Sequence, residues 1–349
     1  HVLSSCKRYS SNPSFLSNLN NEQYYHDCIY NVKLIRKNIE YLHREYLWET
    51  VVSSHGIYVS WGIIHDYLSE IGVDTRVYLN CIYKTGSLWV SKHASQKIYL
   101  EYVAENNLPN DGYERLQARI QYESPDNKIY FQGDLSKVKI DKRSAKLTFG
   151  LFPNVIWDGA IAERDRVFTG LLEWIIHTIK EVRESENNLI IRFHPAEATL
   201  TKWAESLENI VAAHVTDLYQ IPNVTVISSG DQIDLYELIR EDIDVGLVYD
   251  GILGLEITEL GKPVVSVANA RYSKGGFCYE VYDKHVYNDI LLGHCDLNKW
   301  FFSFKDEIHN NLKAYSNAYL GRDLFTFPMF NGHYWDVNLS FHRDFLSLE

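Results

Sequence analysis

The sequence is poor in the features that build a cysteine scaffold. Its five cysteines, Cys6, Cys28, Cys81, Cys278 and Cys295, are far apart, odd in number and share no ligand spacing. That excludes a disulfide-framed module and a cysteine metal site; free thiols in a reducing compartment fit the pattern, so a cytoplasmic protein is expected. Positive charge is also short, with 34 Lys and Arg against 46 Asp and Glu and a formal charge of -12. A general nucleic-acid binder needs a basic surface and is excluded, although a local basic cluster can still hold a small anion. No apolar run is long enough to span a bilayer, nothing at the start reads as a signal peptide, and neither repeats nor low-complexity tracts occur. The chain begins with His1 rather than Met, which leaves open a longer polypeptide with further domains, or a membrane-associated assembly at the cytoplasmic face.

What is present is bulk and alternation. The 349 residues, 46% hydrophobic and 14% aromatic, suffice for two cores. A helical pattern runs from about Tyr25 to Trp48. From Val51 the run "VVSSHGIYVSWGIIHDYLSEIGVDTRVYLNCIY" reads as a strand, a turn, an amphipathic helix through Leu68, a stop at Gly72 and a strand from Thr75 to Tyr83, a βαβ unit. Residues 84 to 145 are less legible, with a helix expected around Ile98 to Glu105 and a charged hinge, "DLSKVKIDKRSAK".

The second half is plainer. "KLTFGLFPNVIWD" gives a strand and loop, "FTGLLEWIIHTIKEVRES" a helix with one broad apolar face, and "NLIIRFHP" a strand stopped by Pro195. "NVTVISS", "DVGLVYD" and "KPVVSVA" are further strands, with the helix "DLYELIRE" among them. Short apolar strands separated by helices predict an α/β fold with a parallel sheet covered on both faces.

In such a sheet ligands bind beyond the carboxyl ends of the strands. Asp250, Gly251 and Gly254 fall on that rim: Gly251 for a tight turn, and Gly254 for a close approach of the first helical turn to a ligand. Free N–H groups there suit a phosphate. Glu256 comes a turn later, within reach of a ribose, and Arg271 and Lys274 after the next strand can neutralise a diphosphate. Arg192 and His194 end another strand, and Arg192 joins Arg271 and Lys274 among the cations expected to meet phosphate charge. His194 is either a packing residue or a donor to a phosphate or leaving group, and Glu197 a cap for the helix that follows. His55, in the Ser-Ser-His-Gly turn, is a general base, an acceptor-orienting group or a helix cap. Asp158, at the end of a strand and loop, is a base, a nucleophile or a turn residue. Tyr58, Trp61 and Trp157 are candidates for stacking on sugars, against a role in the core.

The segments "LFPNVIWDGA", "LEWIIHTIKEV", "LIIRFHPAE" and "GLEITELGKPVVSVANARYSKGGF" resemble, in order and spacing, the capsule polysaccharide biosynthesis proteins, glycosyltransferases of the GT-B type. The resemblance covers about residues 146 to 285, with "SSHGIYVSWG" fitting more loosely. It implies two Rossmann-like domains with parallel sheets facing a central cleft. Residues 1–145 would form the acceptor-side domain, 146–296 the nucleotide-sugar donor domain, and 297–349 a helical segment packing back across both. His194 and Pro195 match the family's His-Pro pair, and Gly254 and Glu256 its Gly-x-Glu helix start. Members include enzymes that use CMP-activated Kdo, so a CMP-, UDP-, GDP- or dTDP-linked donor is implied, with a glycan or glycolipid acceptor. The chain departs from the family at Asp250-Gly251, where relatives often show Ser-Thr. A carboxylate there is unfavourable beside a diphosphate unless it meets a cation or a sugar hydroxyl.

The expected chemistry is glycosyl transfer without a metal, because the lone Asp-x-Asp, Asp242 to Asp244, enters a strand at the end away from the rim. Inversion and retention both remain open. Three other readings stand beside it: a CDP-polyol phosphotransferase, a UDP-sugar epimerase-like hydrolase, and a non-catalytic glycan-binding or assembly subunit.

Overall fold

A computed structural model describes residues 1–2, 5–6, 19–54, 56–80, 87–91, 111–121, 147–156, 158, 164–200, 206–321 and 324–326. The helix expected near Ile98 to Glu105, the charged hinge and the aromatic end of the chain lie outside them, as do His55 and Trp157.

The first unit opens with α1 (Leu19–Tyr46), followed by β1 (Thr50–Ser54), a π-turn (Tyr58–Gly62) running into α2 (Ile63–Glu70), and β2 (Asp74–Asn80). β1 and β2 pair in parallel, Thr50 opposite Asp74 through Ser54 opposite Tyr78, so the βαβ unit is present. Gly72, at φ 86°, ends the helix as its sequence position suggested. Two antiparallel strands extend this sheet. β3 (Ser87–Ser91) pairs with β2, and β10 (Leu324–Thr326), from the far end of the chain, pairs with β3.

The second unit is a six-stranded sheet in which every neighbouring pair is parallel. Its strands are β4 (Thr148–Phe152), β5 (Asn188–Arg192), β6 (Val224–Ile227), β7 (Val245–Val248), β8 (Val264–Ser266) and β9 (Tyr279–Glu280), in the order β6-β5-β4-β7-β8-β9. The chain therefore starts in the middle, winds outward to one edge, returns to the middle and winds to the other. The order reverses between β4 and β7, and a crevice opens there because the connections leaving the two strands go to opposite sides.

Period-two alternation divides the strand residues between two cores. Phe149, Leu151, Leu189, Ile191, Val245 and Leu247 face α4 (Leu171–Arg183), α6 (Leu207–His214) and α9 (Lys284–Leu291). Phe152, Ile190, Val248 and Val264 face α3 (Asp111–Gln121), α7 (Leu235–Asp242), α8 (Leu253–Glu259) and α11 (Lys305–Ser316). On this second face Gly150 and Gly246 make room for neighbours: a Cβ on either would lie 2.4 Å from Ile243 Cδ1 or 2.8 Å from Ile257 Cδ1. The short helices α5 (Ala196–Leu200) and α10 (Leu297–Ser303) complete the unit.

Helix α3 precedes β4 in the chain but sits on this second unit. Leu116 is fully buried among its residues, Tyr113 N–H donates to Asn317 Oδ1 at 2.8 Å, and Tyr113 Oη donates to Glu259 at 2.8 Å. One stretch of the first 145 residues thus packs on the second unit, while β10 from the last 53 completes the first sheet.

Candidate active site

At the reversal point the ends of β4, β5 and β7 enclose a cavity of about 120 Å³. A single ordered water needs roughly 10–15 Å³ by such a measure, so the space admits a ligand group. Asn154 follows β4, Arg192 and His194 end β5, Asp250 to Leu253 follow β7, and Glu256 reaches in from α8. The turn at Gly251 has φ 107°, a region open to glycine, and lets the chain leave β7 and enter α8 within a few residues.

Asp250 is the best-held group. Its side chain is fully buried, and Arg271 grips it through its backbone N–H (3.0 Å) and Nε (3.3 Å) to Oδ1 and through Nη2 (3.1 Å) to Oδ2. Arg164 Nε lies 4.0 Å from Oδ2. Burial by itself would raise the pKa of Asp250; the charges of Arg271 and Arg164, with the hydrogen bonds from Arg271, outweigh it and hold the carboxyl below the usual aspartate range. Two guanidinium groups, from the loop before α4 and the loop after β8, meet this one carboxylate. The departure from Ser-Thr at this position thus meets cations, the condition under which an acid is compatible with a nearby phosphate.

His194 lines the cavity, and its Nδ1 accepts the Ala196 N–H at 3.1 Å. In a neutral ring that acceptor role puts the proton on Nε2 and makes it a donor. Arg192 also lines the cavity, yet its guanidinium donates to the carbonyls of Phe193 (2.7 Å), Ser228 and Asp231 (3.0 Å). Burial lowers its pKa to about 10, against the opposing pull of Asp231 and Glu208, so it stays cationic at neutral pH. Its donors tie β5 to the loop after β6, which corrects the expectation of a cation freely available to phosphate.

Gly254 needs a second correction. A Cβ there would lie 2.4 Å from Tyr272 Oη and 2.7 Å from its Cζ, so the missing side chain makes room for a buried tyrosine and not for a ligand. Lys274 is exposed, with φ 65°, and falls outside the cavity lining; its N–H donates to Glu280. Asp158 is half-buried, outside the lining, and near enough to Arg164 to act on its charge. Glu197 is buried and accepts the Leu207 N–H with both oxygens at 3.2 Å, so it caps α6, the helix after its own. Asp244 accepts the Thr148 N–H at 2.8 Å, at the start of β7 and away from the rim.

Sequence reasoning missed three groups. Asn154 Oδ1 accepts the Asp250 N–H at 3.1 Å and so fixes the turn. Arg164 flanks Asp250, and Arg119 of α3 donates through Nε to Glu256, both side chains 2% exposed. The asparagine of "FPN" looks like any loop residue, and no local pattern marks either arginine, because their partners are 86 and 137 residues away.

No family model and no curated protein matches the chain. Solved structures do match. KpsC of Thermosulfurimonas dismutans, a β-Kdo 2,7 transferase, superposes with a TM-score of 0.50 at 13% identity, over 90% of this chain and 89% of that one. The chain has the two-domain GT-B fold. A KpsC β-Kdo 2,4 transferase from the same organism gives a TM-score of 0.41 at 10% identity over 77% and 78% of the two chains. Anabaena Alr3699/HepE in complex with UDP-glucose gives 0.32 at 11% identity over 86% and 64%. The likeness to KpsC extends over nine-tenths of the chain, beyond the segments that carry the sequence resemblance. Among the described residues no helix is long and apolar enough to cross a membrane.

Proposed function

We propose that this protein is a glycosyltransferase that moves a sugar from a nucleotide-activated donor to a glycan acceptor in surface or capsular polysaccharide synthesis. The observation that carries the reading is the cavity at the reversal of strand order, lined by His194, the Asp250–Gly251 turn and Glu256 and flanked by the Arg164–Asp250–Arg271 cluster. Such a crevice receives nucleotides in open parallel sheets. The KpsC fold, shared at a TM-score of 0.50, belongs to a β-Kdo 2,7 transferase.

In this reading the donor diphosphate or monophosphate lies against the Gly251–Leu253 turn. His194 Nε2–H donates to the leaving phosphate, and Arg164 and Arg271, held on Asp250, flank the turn with two guanidinium groups. Glu256 accepts from a sugar or ribose hydroxyl. These groups make a metal unnecessary for charge stabilisation, and Asp244 is engaged at the opposite end of β7. Asp158 and His55 remain the proposed candidates for base or nucleophile, with residues 1–145 supplying most of the acceptor side and 146–296 the donor side.

The test is mass-spectrometric detection of product from a panel of nucleotide sugars with a glycan acceptor. Acceptor-dependent transfer supports the reading. Free sugar released at the same rate without acceptor would replace it with a hydrolase, and no turnover with any donor would favour a binding subunit.

A further inference from the structure

Helix α8 presents two glutamates one turn apart, and α3 meets them with different chemistry. Glu259, outside the cavity lining, accepts from neutral donors: Tyr113 Oη at 2.8 Å and Gln117 Nε2 at 3.1 Å. Glu256, in the lining, is met by the Arg119 guanidinium. Both side chains of that pair are 2% exposed.

Docking of α3 has other supports besides this pair. The helix is already seated by Leu116 and Ile120 in the core, by the Tyr113 N–H on Asn317 and by the two donors to Glu259. A buried ion pair brings two charges out of water, and well-packed apolar residues in its place are often as stable or more so. Such a pair is therefore no evidence of a gain in stability, and it stands at the one of the two glutamates that faces the cavity. A carboxylate paired with a fixed guanidinium accepts hydrogen bonds and does not donate them, and its plane is set by the pair.

We propose that Arg119 is a positioning residue for ligand recognition: it holds Glu256 as a pure hydrogen-bond acceptor for vicinal hydroxyls of the bound nucleotide, so that a helix from the first part of the chain completes a site otherwise built from the second unit. This rests on the nucleotide reading above and adds to it the source of the hydroxyl specificity.

The experiment is calorimetric affinity of the full chain for the best-binding ribonucleotide and for its 2′,3′-dideoxy counterpart. The wild type is expected to prefer the ribonucleotide by about tenfold or more, the scale of a hydrogen bond to a charged group. Arg119→Met and Glu256→Gln are each expected to bring that ratio close to one while the dideoxy affinity stays within about twofold. Arg119→Lys, which keeps the charge but loses the planar fork, is expected to restore part of the ratio and serves in its place if Arg119→Met does not fold. A ratio that survives in Arg119→Met, or that in Arg119→Lys is undiminished from the wild type, while collapsing in Glu256→Gln overturns the role of Arg119 and leaves the nucleotide site intact. Equal losses for both ligands overturn it too, because that is what a purely structural contact would give. Failure of the wild type to bind any nucleotide overturns the functional reading, and this inference with it.

Discussion

Arg271 encloses Asp250 from three directions, with its backbone N–H and two guanidinium nitrogens all within 3.3 Å of a carboxylate that has no exposed surface. Asp250 ends the run out of β7 and Arg271 the run out of β8, so the pair ties together the two rim loops beside the reversal point. The same clasp extends to the loop before α4: Arg164 flanks Asp250, and Asp165 accepts from Tyr249, the residue before it.

Removing the carboxylate leaves two buried guanidinium groups with an uncompensated charge. Asp250→Ala is therefore expected to lose about 3–5 kcal/mol of stability, the cost of breaking a buried ion pair. The sign with pH follows from the depressed pKa: the folded state favours the ionised form, so the contribution is present above the usual aspartate pKa and is lost as pH falls through the lower folded value. Urea unfolding of wild type and variant at pH 7 should show the full difference. A difference under 1 kcal/mol would show that the clasp contributes nothing to the fold.

Glu197 titrates in the opposite sense. Burial, reduced by the Leu207 N–H and reinforced by Glu208, raises its pKa to about 7. The folded state favours the protonated form, so there is no cost below the unfolded value near 4.5. A cost accumulates from there to about pH 7 and is constant above, at roughly 3 kcal/mol. Glu197→Gln keeps an oxygen for the Leu207 N–H and removes the charge. It should match the wild type in stability near pH 4.5 and exceed it at pH 8, as read by urea midpoints. Equal stability at pH 8 would place the ionised carboxylate in a better environment than its burial suggests.

Gly254 is expected to behave as a packing glycine. Gly254→Ala sets a methyl group against the phenol of Tyr272, which is 2% exposed, and should cost about 1–3 kcal/mol. Combining it with Tyr272→Phe removes the nearest atom, so the double variant should recover part of that loss, a coupling visible in a double-mutant cycle. Strict additivity would mean that the two residues do not press on each other.

The parallel architecture was legible because its signals are local. Apolar strands such as "LIIRF" and "DVGLVYD" are buried on both faces and stop at Pro195 and Gly251, and a turn glycine after a strand marks the rim. Gly254 shows where this runs out: a glycine that admits a ligand and one that admits Tyr272 look the same in a sequence, and only the second strand loop decides between them. Arg192 fails for a related reason, since its position at a strand end is visible but the three carbonyls that take its donors are contributed largely by another loop. The seat of α3 was invisible. Its amphipathic surface fits either unit, and the pairing of Arg119 with Glu256 is settled by tertiary contact across 137 residues. The antiparallel extension of the first sheet was hidden likewise, because β10 comes to β3 from the other end of the chain.

The central claim is that the reversal-point cavity holds a nucleotide. A thermal-shift screen of the chain against CMP, UDP, GDP, CDP and dTDP species, repeated with His194→Ala and Glu256→Ala, tests it most directly. A ligand at a hundred times its Kd stabilises the fold by about 2.7 kcal/mol, enough to read as a shift of a few degrees. Selective stabilisation by one base, weakened in both variants, is the expected result. Stabilisation by none of the five, or stabilisation unchanged in both variants, would contradict it.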